Sequence, residues 1–230
     1  MQAIHAKLTD IPYEEALRYL GGQDAGRVED SAPELPAILD TCKGLLLEAT
    51  QPRVVWRLFS LMPDGHLEGT AFTPEGSDIK ELLAPCSDAV LMAATLGSEV
   101  EALLRRWQHR DMAQAAVLDA LASAAVENVC SNFCADLQAA LAPSFLTGRF
   151  SPGYGDFPLT QQGELCRLLD VSRRIGVSLT ESGLMLPQKS VTAIIGVSDK
   201  PQTQRRRSCD ACRLSSTCLY RKKGSHCGNV

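Results

Sequence analysis

The chain has 230 residues, a net charge of −4 and a pI near 5.6, long enough to bury a core as one domain with appendages. The acidic balance gives no global attraction to nucleic acid, and no run of about 18 apolar residues is present to cross a membrane. Nine cysteines, an odd number, count against a full disulfide framework and for metal or thiol chemistry.

In chain order, Met1-Gln-Ala-Ile-His lacks the basic and apolar layout of a signal peptide, so the expected location is the cytoplasm. Thr9-Asp10, Pro12, the acids Glu14 and Glu15 and the stop Gly21-Gly22 predict a short helix ending near Leu20. Residues 21–33 are polar and Gly-rich, a loop. Leu35, Ile38, Leu39, Cys42, Leu45 and Leu46 fall at helical spacing and predict a second helix over 34–48. Arg53 to Ser60 is rich in β-formers. Met62-Pro-Asp64-Gly65 is a turn signal, and residues 66–72 are expected to return as the partner strand of a hairpin. Residues 77–83 read as one or two helical turns, and the apolar run Asp88 to Thr95 as a buried strand.

Ser98 with Glu101 has the pattern of a capping box opening a helix to about Gln108; Asp111 with Gln114 repeats it at the start of a long Ala-rich helix to about Leu141, stopped by Pro143. Between Asp119 and Asp136 that helix has one charged residue, Glu127, which reads on the sequence alone as a helix-surface glutamate. Cys130 and Cys134 follow one and two turns on and read as small core residues. Residues 147–162 hold two prolines and three glycines, which exclude a helix interior or central strand. That frame carries Arg149, Tyr154 and Asp156. It suits a small-molecule site, or equally a structural loop with an arginine cap. A helix capped by Thr160 is expected through about Asp170. Short strands are expected over 177–180, 183–186 and 191–197. The sum is an α+β fold, a mostly antiparallel sheet with long helices packed on it, over residues 1–198.

A linker over 199–208 leads to a Cys-rich tail over 209–230. There Cys209, Cys212, Cys218 and Cys227 are spaced by two, five and eight residues, a set able to close on zinc or an iron–sulfur cluster; His226 is an alternative ligand, and a disordered tail with incidental cysteines is the plain alternative. Arg205, Arg206, Arg207, Arg213, Arg221, Lys222 and Lys223 make this end basic, which fits docking to an acidic partner, RNA, or a solvated tail.

Two ordered motifs carry a resemblance. Arg149-Phe-Ser-Pro-Gly-Tyr154 resembles the Arg-x-x-x-Gly-Tyr signature of the activation domain of cobalamin-dependent methionine synthase. The run from Ile175 to Val191, with Leu179-Thr-Glu-Ser182 and Ser190-Val191, resembles that domain's second conserved segment. Likeness is good over 88–197 and looser before, and the whole chain resembles the free-standing version that serves a methionine synthase lacking its own activation domain.

The resemblance implies S-adenosylmethionine as ligand. Arg149 would take its carboxylate and Glu127 its ammonium or sulfonium; loop backbone at Ser151, Pro152 and Gly153 would take the adenine, with Tyr154 beside the methyl donor. It implies reductive methylation of cob(II)alamin held by the partner synthase, with an electron from a donor such as flavodoxin or ferredoxin. No base or nucleophile is then required, in keeping with four scattered histidines (His5, His66, His109, His226). No Gly-x-Gly-x-Gly loop follows a strand, which excludes a Rossmann-type methyltransferase. Two family features are unmatched: an N-terminal ligand-contacting acid, and an aromatic after the Ser-Val strand, where Val197-Ser-Asp-Lys stands. The competing classes are a metal-stabilised adaptor or scaffold with a decayed ligand loop and an RNA-binding zinc module; the acidic pI and the lack of an aromatic–basic surface pattern count against the latter.

Overall fold

A computed structural model describes residues 2–20 and 34–201. The predicted loop over 21–33, the predicted linker from residue 202 on, and Cys209, Cys212, Cys218, Cys227 and His226 lie outside the described residues.

The organising element is an antiparallel sheet in the order β1-β2-β3-β7-β4. Its strands are β1 (Gln2–His5), β2 (Arg53–Ser60), β3 (Asp88–Thr95), β4 (Phe145–Leu146) and β7 (Ser190–Ser198); β5 (Ser178–Leu179) and β6 (Met185–Leu186) pair separately. β3 is central. It pairs along its length with β2, and with β7 from Asp88↔Val197 to Thr95↔Ser190.

Both faces of this sheet are covered. Val54, Val90, Met92, Ala94, Ala193 and Ile195 face one core with the helices α2 (Leu35–Ala49), α4 (Ser98–Arg110) and α5 (Met112–Ala140). Val55, Ala89, Leu91, Ala93 and Ile194 face a second core with α3 (Ser77–Leu83), α6 (Gln162–Leu169) and α7 (Val171–Ile175). The period of two along a strand sends neighbours to opposite faces. Because both faces are dry, β3 shows an unbroken apolar run rather than alternation. α1 (Tyr13–Tyr19) packs with its buried Ala16 into the first core.

The α+β expectation holds, with local corrections. The return strand over 66–72 does not form: Leu61↔Leu67 is an isolated bridge, and both edges of β2 are taken by β1 and β3 instead. The capping box at Ser98 does not form either. Gly97 is the N-cap, and Glu101 pairs with Arg105 and accepts from the Gln188 N–H at 3.2 Å. Thr160 lies in a single 3-10 turn (Leu159–Gln161), and α6 starts after it without a side-chain cap. Asp10, expected near a helix cap, pairs with Lys43. Asp111 does cap α5, accepting from the N–H groups of Ala113 at 3.0 Å and Gln114 at 3.1 Å.

Candidate functional site

The loop after β4 is held to the sheet before it reaches the site. Thr147 donates its N–H to the Gly196 carbonyl at 2.9 Å, and its hydroxyl oxygen accepts the Gly196 N–H at 2.8 Å. A side chain at Gly196 would put its Cβ 2.5 Å from Cys86 Sγ and 3.0 Å from Thr147 Cγ2, so the close approach needs glycine. Phe150 and Ile194 exchange N–H···O bonds at 2.9 and 2.8 Å, a one-rung extension of the sheet. The chain then turns. Tyr154 donates to the Ser151 carbonyl and Gly153, at φ +91°, donates its N–H to the Phe157 carbonyl at 2.8 Å. Phe157 is buried in the second core and packs with Phe150, ring centroids 6.3 Å apart.

Asp156 belongs to this scaffold. Its carboxylate accepts from the N–H (2.7 Å) and hydroxyl (2.6 Å) of Ser77 and from the Asp78 N–H (3.0 Å), closing the N-terminus of α3 from a distant segment. These bonds hold its pKa down at about 2, the Ser77 hydroxyl contributing most.

Arg149 crosses from the loop to α5. Its Nη2 donates to Glu127 Oε2 at 2.8 Å, with both side chains partly buried. The Arg149 Nη1 is buried and has no oxygen or nitrogen partner, and the Cys130 thiol interacts with the guanidinium. Cys130 and Cys134 stand beside the guanidinium on the same stretch of α5. Burial pushes the Cys130 thiol up to about 12 and raises Cys134 as well, which disfavours the thiolate form of both. Among the described residues no group of His, Cys, Asp and Glu could hold a metal ion.

Around this pair lies a cavity of about 190 Å³. Glu127, Arg149, Ser151, Pro152 and Tyr154 supply one part of its lining. Five of the six residues nominated from the sequence thus come together; Gly153 is absent from the lining and forms the turn behind it. The rest comes from Gln162 at the start of α6, Met185 on β6, and Ser190, Val191 and Thr192 on β7. Sequence reasoning missed these five as site residues. Met185 and Ser190-Val191 carried a signal, since they are part of the second motif, and Gln162 closes the stiff stretch 147–162; Thr192 carried none.

The start of β7 is pinned from the helix side. Lys189 Nζ lies 2.8 Å from Asp119 and donates to the Ser123 hydroxyl at 2.9 Å. Both the loop and the β7 wall are therefore referenced to α5, which carries Glu127.

A family model described as "Vitamin B12 dependent methionine synthase, activation domain" matches residues 86–205, which include all ten lining residues. The chain belongs to this activation-domain family. A crystal structure of the MetH reactivation domain bound to AdoHcy has the same fold, with a TM-score of 0.60 and 17% identity over 98% of this chain and 86% of that one. No curated protein sequence matches the chain. The curled antiparallel sheet with helices on it is thus the activation-domain fold, and the Arg149–Glu127 cavity lies within the matched segment.

Proposed function

We propose that this activation domain binds S-adenosylmethionine in the Arg149–Glu127 cavity and supports reductive methylation of cob(II)alamin held by a cobalamin-dependent methionine synthase. The observation that carries this reading is the partly buried ion pair in the cavity lining: Arg149 Nη2 is committed to Glu127, and Nη1 is buried with no oxygen or nitrogen partner in a guanidinium that lies against the Cys130 thiol. Native proteins seldom leave a buried charged donor unpaired, and a carboxylate is the partner a guanidinium fits best. A zwitterion brings that carboxylate together with an ammonium, and Glu127 stands ready for the latter. The ligand of the similar crystal structure, AdoHcy, has this zwitterionic end.

The chain's own residues then bind and orient. Arg149 and Glu127 fix the amino-acid end, the backbone of Ser151 and Pro152 borders the adenine, and Gly153 keeps the turn that presents them. Tyr154, about half exposed, stands at the mouth beside the methyl donor. At about 190 Å³ the cavity is smaller than the roughly 300–1,000 Å³ of enclosed small-molecule sites, so such a ligand stays partly exposed, as a methyl that must reach a second molecule requires. S-adenosylmethionine supplies an electrophilic methyl group, and one electron from a donor such as flavodoxin or ferredoxin completes the return of cob(II)alamin to its methylated form. Alignment and exclusion of water are the protein's contribution.

Calorimetric titration with S-adenosylmethionine tests the reading: wild type binds, and Arg149→Ala gives no measurable heat. Absence of binding by a folded wild type would favour the adaptor reading instead. We further propose that Cys209, Cys212, Cys218 and Cys227 hold zinc or an iron–sulfur cluster. Anaerobic purification with metal analysis and a visible spectrum tests this, and a metal-free, colourless protein contradicts it.

A further inference from the structure

A groove of about 450 Å³ lies outside the site described above. Its walls are Tyr19 and Leu20 at the end of α1 and Gln108 near the end of α4; its floor is α5 at Met112, Ala116 and Ala120. Met112 is 69% exposed, Tyr19 46% and Leu20 36%, so three bulky apolar side chains meet water at one place. Single exposed apolar residues are ordinary, whereas a contiguous set marks a contact surface. We propose that this groove receives an amphipathic helix of the partner methionine synthase, one that turns an apolar strip toward α5 and acidic side chains toward the end of α4. The proposal rests on the reading that the domain presents S-adenosylmethionine to that synthase.

The shape of the groove fits a helix. Its α5 lining recurs at positions 112, 115, 116, 119, 120 and 123, one helical face. At 1.5 Å per residue this face extends over about 16 Å, three turns of a docked helix. Helix-in-groove recognition uses apolar anchors at that spacing. The inner face of the occupant is apolar because the polar residues of the floor are already engaged: Lys189 lies 2.8 Å from Asp119 and donates to the Ser123 hydroxyl at 2.9 Å.

The rim has the opposite character. Arg105, Arg106, His109 and Arg110 fall in the last two turns of α4 with no acid among them, and all four are exposed. Arg105 stands one turn before Gln108, its one ion pair being with Glu101 at the surface. In a chain of net charge −4 this rim is a local exception, and acids on the docked helix complement it. Position names the partner. Glu127 is one turn beyond Ser123 on α5, so the groove leads toward the ligand cavity. Tyr19 lies between the two: burial, and then the charge of Glu127, raise its phenol pKa. The protein that accepts the methyl group must come to the mouth at Tyr154, and once there it has this groove within reach.

The experiment measures the affinity of this protein for a cobalamin-dependent methionine synthase lacking its own activation domain, by biolayer interferometry at two salt concentrations. Two variants are compared with wild type: Ala116→Trp, which fills the groove, and the double variant Arg105→Glu with Arg106→Glu, which reverses the rim. Each is expected to weaken synthase binding at least about tenfold, and the double variant also to lose the salt dependence. Both substitute exposed residues, and thermal melts with S-adenosylmethionine calorimetry confirm that fold and ligand binding are kept. Variants that bind the synthase as wild type does overturn the inference and leave the proposed function standing. Sedimentation that shows a wild-type dimer turned into a monomer by Ala116→Trp overturns it as well, by assigning the groove to a second copy of this chain. A folded wild type that binds no S-adenosylmethionine overturns the proposed function instead.

Discussion

Arg149 Nη2 is bound to Glu127 while its Nη1 is buried without an oxygen or nitrogen partner, and this division decides which substitutions matter. Arg149→Lys keeps the charge but has no second, coplanar donor to offer a carboxylate. It is expected to cost at least about tenfold in S-adenosylmethionine affinity, measured by calorimetry, with the melting temperature little changed; unchanged affinity would mean that charge alone suffices. Asp156 shows a different use of a carboxylate. Its pKa, near 3.8 in an unfolded chain, is held at about 2, so its contribution to the loop anchor is complete above pH 4 and is lost as pH falls from about 4 to 2. Its carboxyl carbon resonance is expected to titrate with a midpoint near 2, and a midpoint near 3.8 would show that the bonds to Ser77 and Asp78 do not form in solution.

At the scale of elements, α5 is both the spine of the first core and the carrier of Glu127. Ala122 and Ala125 are fully buried there, which lets the helix sit close to the sheet and its neighbours. Ala125→Leu is expected to destabilise by about 1–3 kcal/mol in urea unfolding, since a dense core resists added volume. Asp111→Ala is expected to cost about 1 kcal/mol through loss of the cap bonds to Ala113 and Gln114. The helices and β3 were legible in the sequence because apolar spacing and Asp111 are local signals. The strand predicted over 66–72 failed because a turn signal does not say whether the chain beyond it will find a better partner; β2 found β1 and β3. The site divides in the same way. Arg149 and Tyr154 could be nominated from their motif, and Glu127 only through the family resemblance, since on the sequence alone it reads as a surface glutamate. Gln162 and Thr192 could not, because their place depends on α6 and β7 converging across 30 residues. Asp156 drew notice as a polar group in a stiff loop, and only the packing of that loop on α3 shows that it is a cap.

At the scale of the molecule, the sheet lies between two cores, and the cavity forms where α5, α6, β7 and the loop after β4 meet. The lining residues reach it from separate elements locked by Thr147–Gly196, Lys189–Asp119 and Asp156–Ser77, so the fold itself pre-sets the geometry of the cavity. The most direct measurement is reconstitution: a cobalamin-dependent methionine synthase loaded with cob(II)alamin, S-adenosylmethionine and a reductant, with and without this protein, followed by the visible spectrum of the corrin. The account predicts methylcobalamin with wild-type protein and none with Arg149→Ala. Methylcobalamin formed equally well without the protein, or with Arg149→Ala in its place, would contradict it.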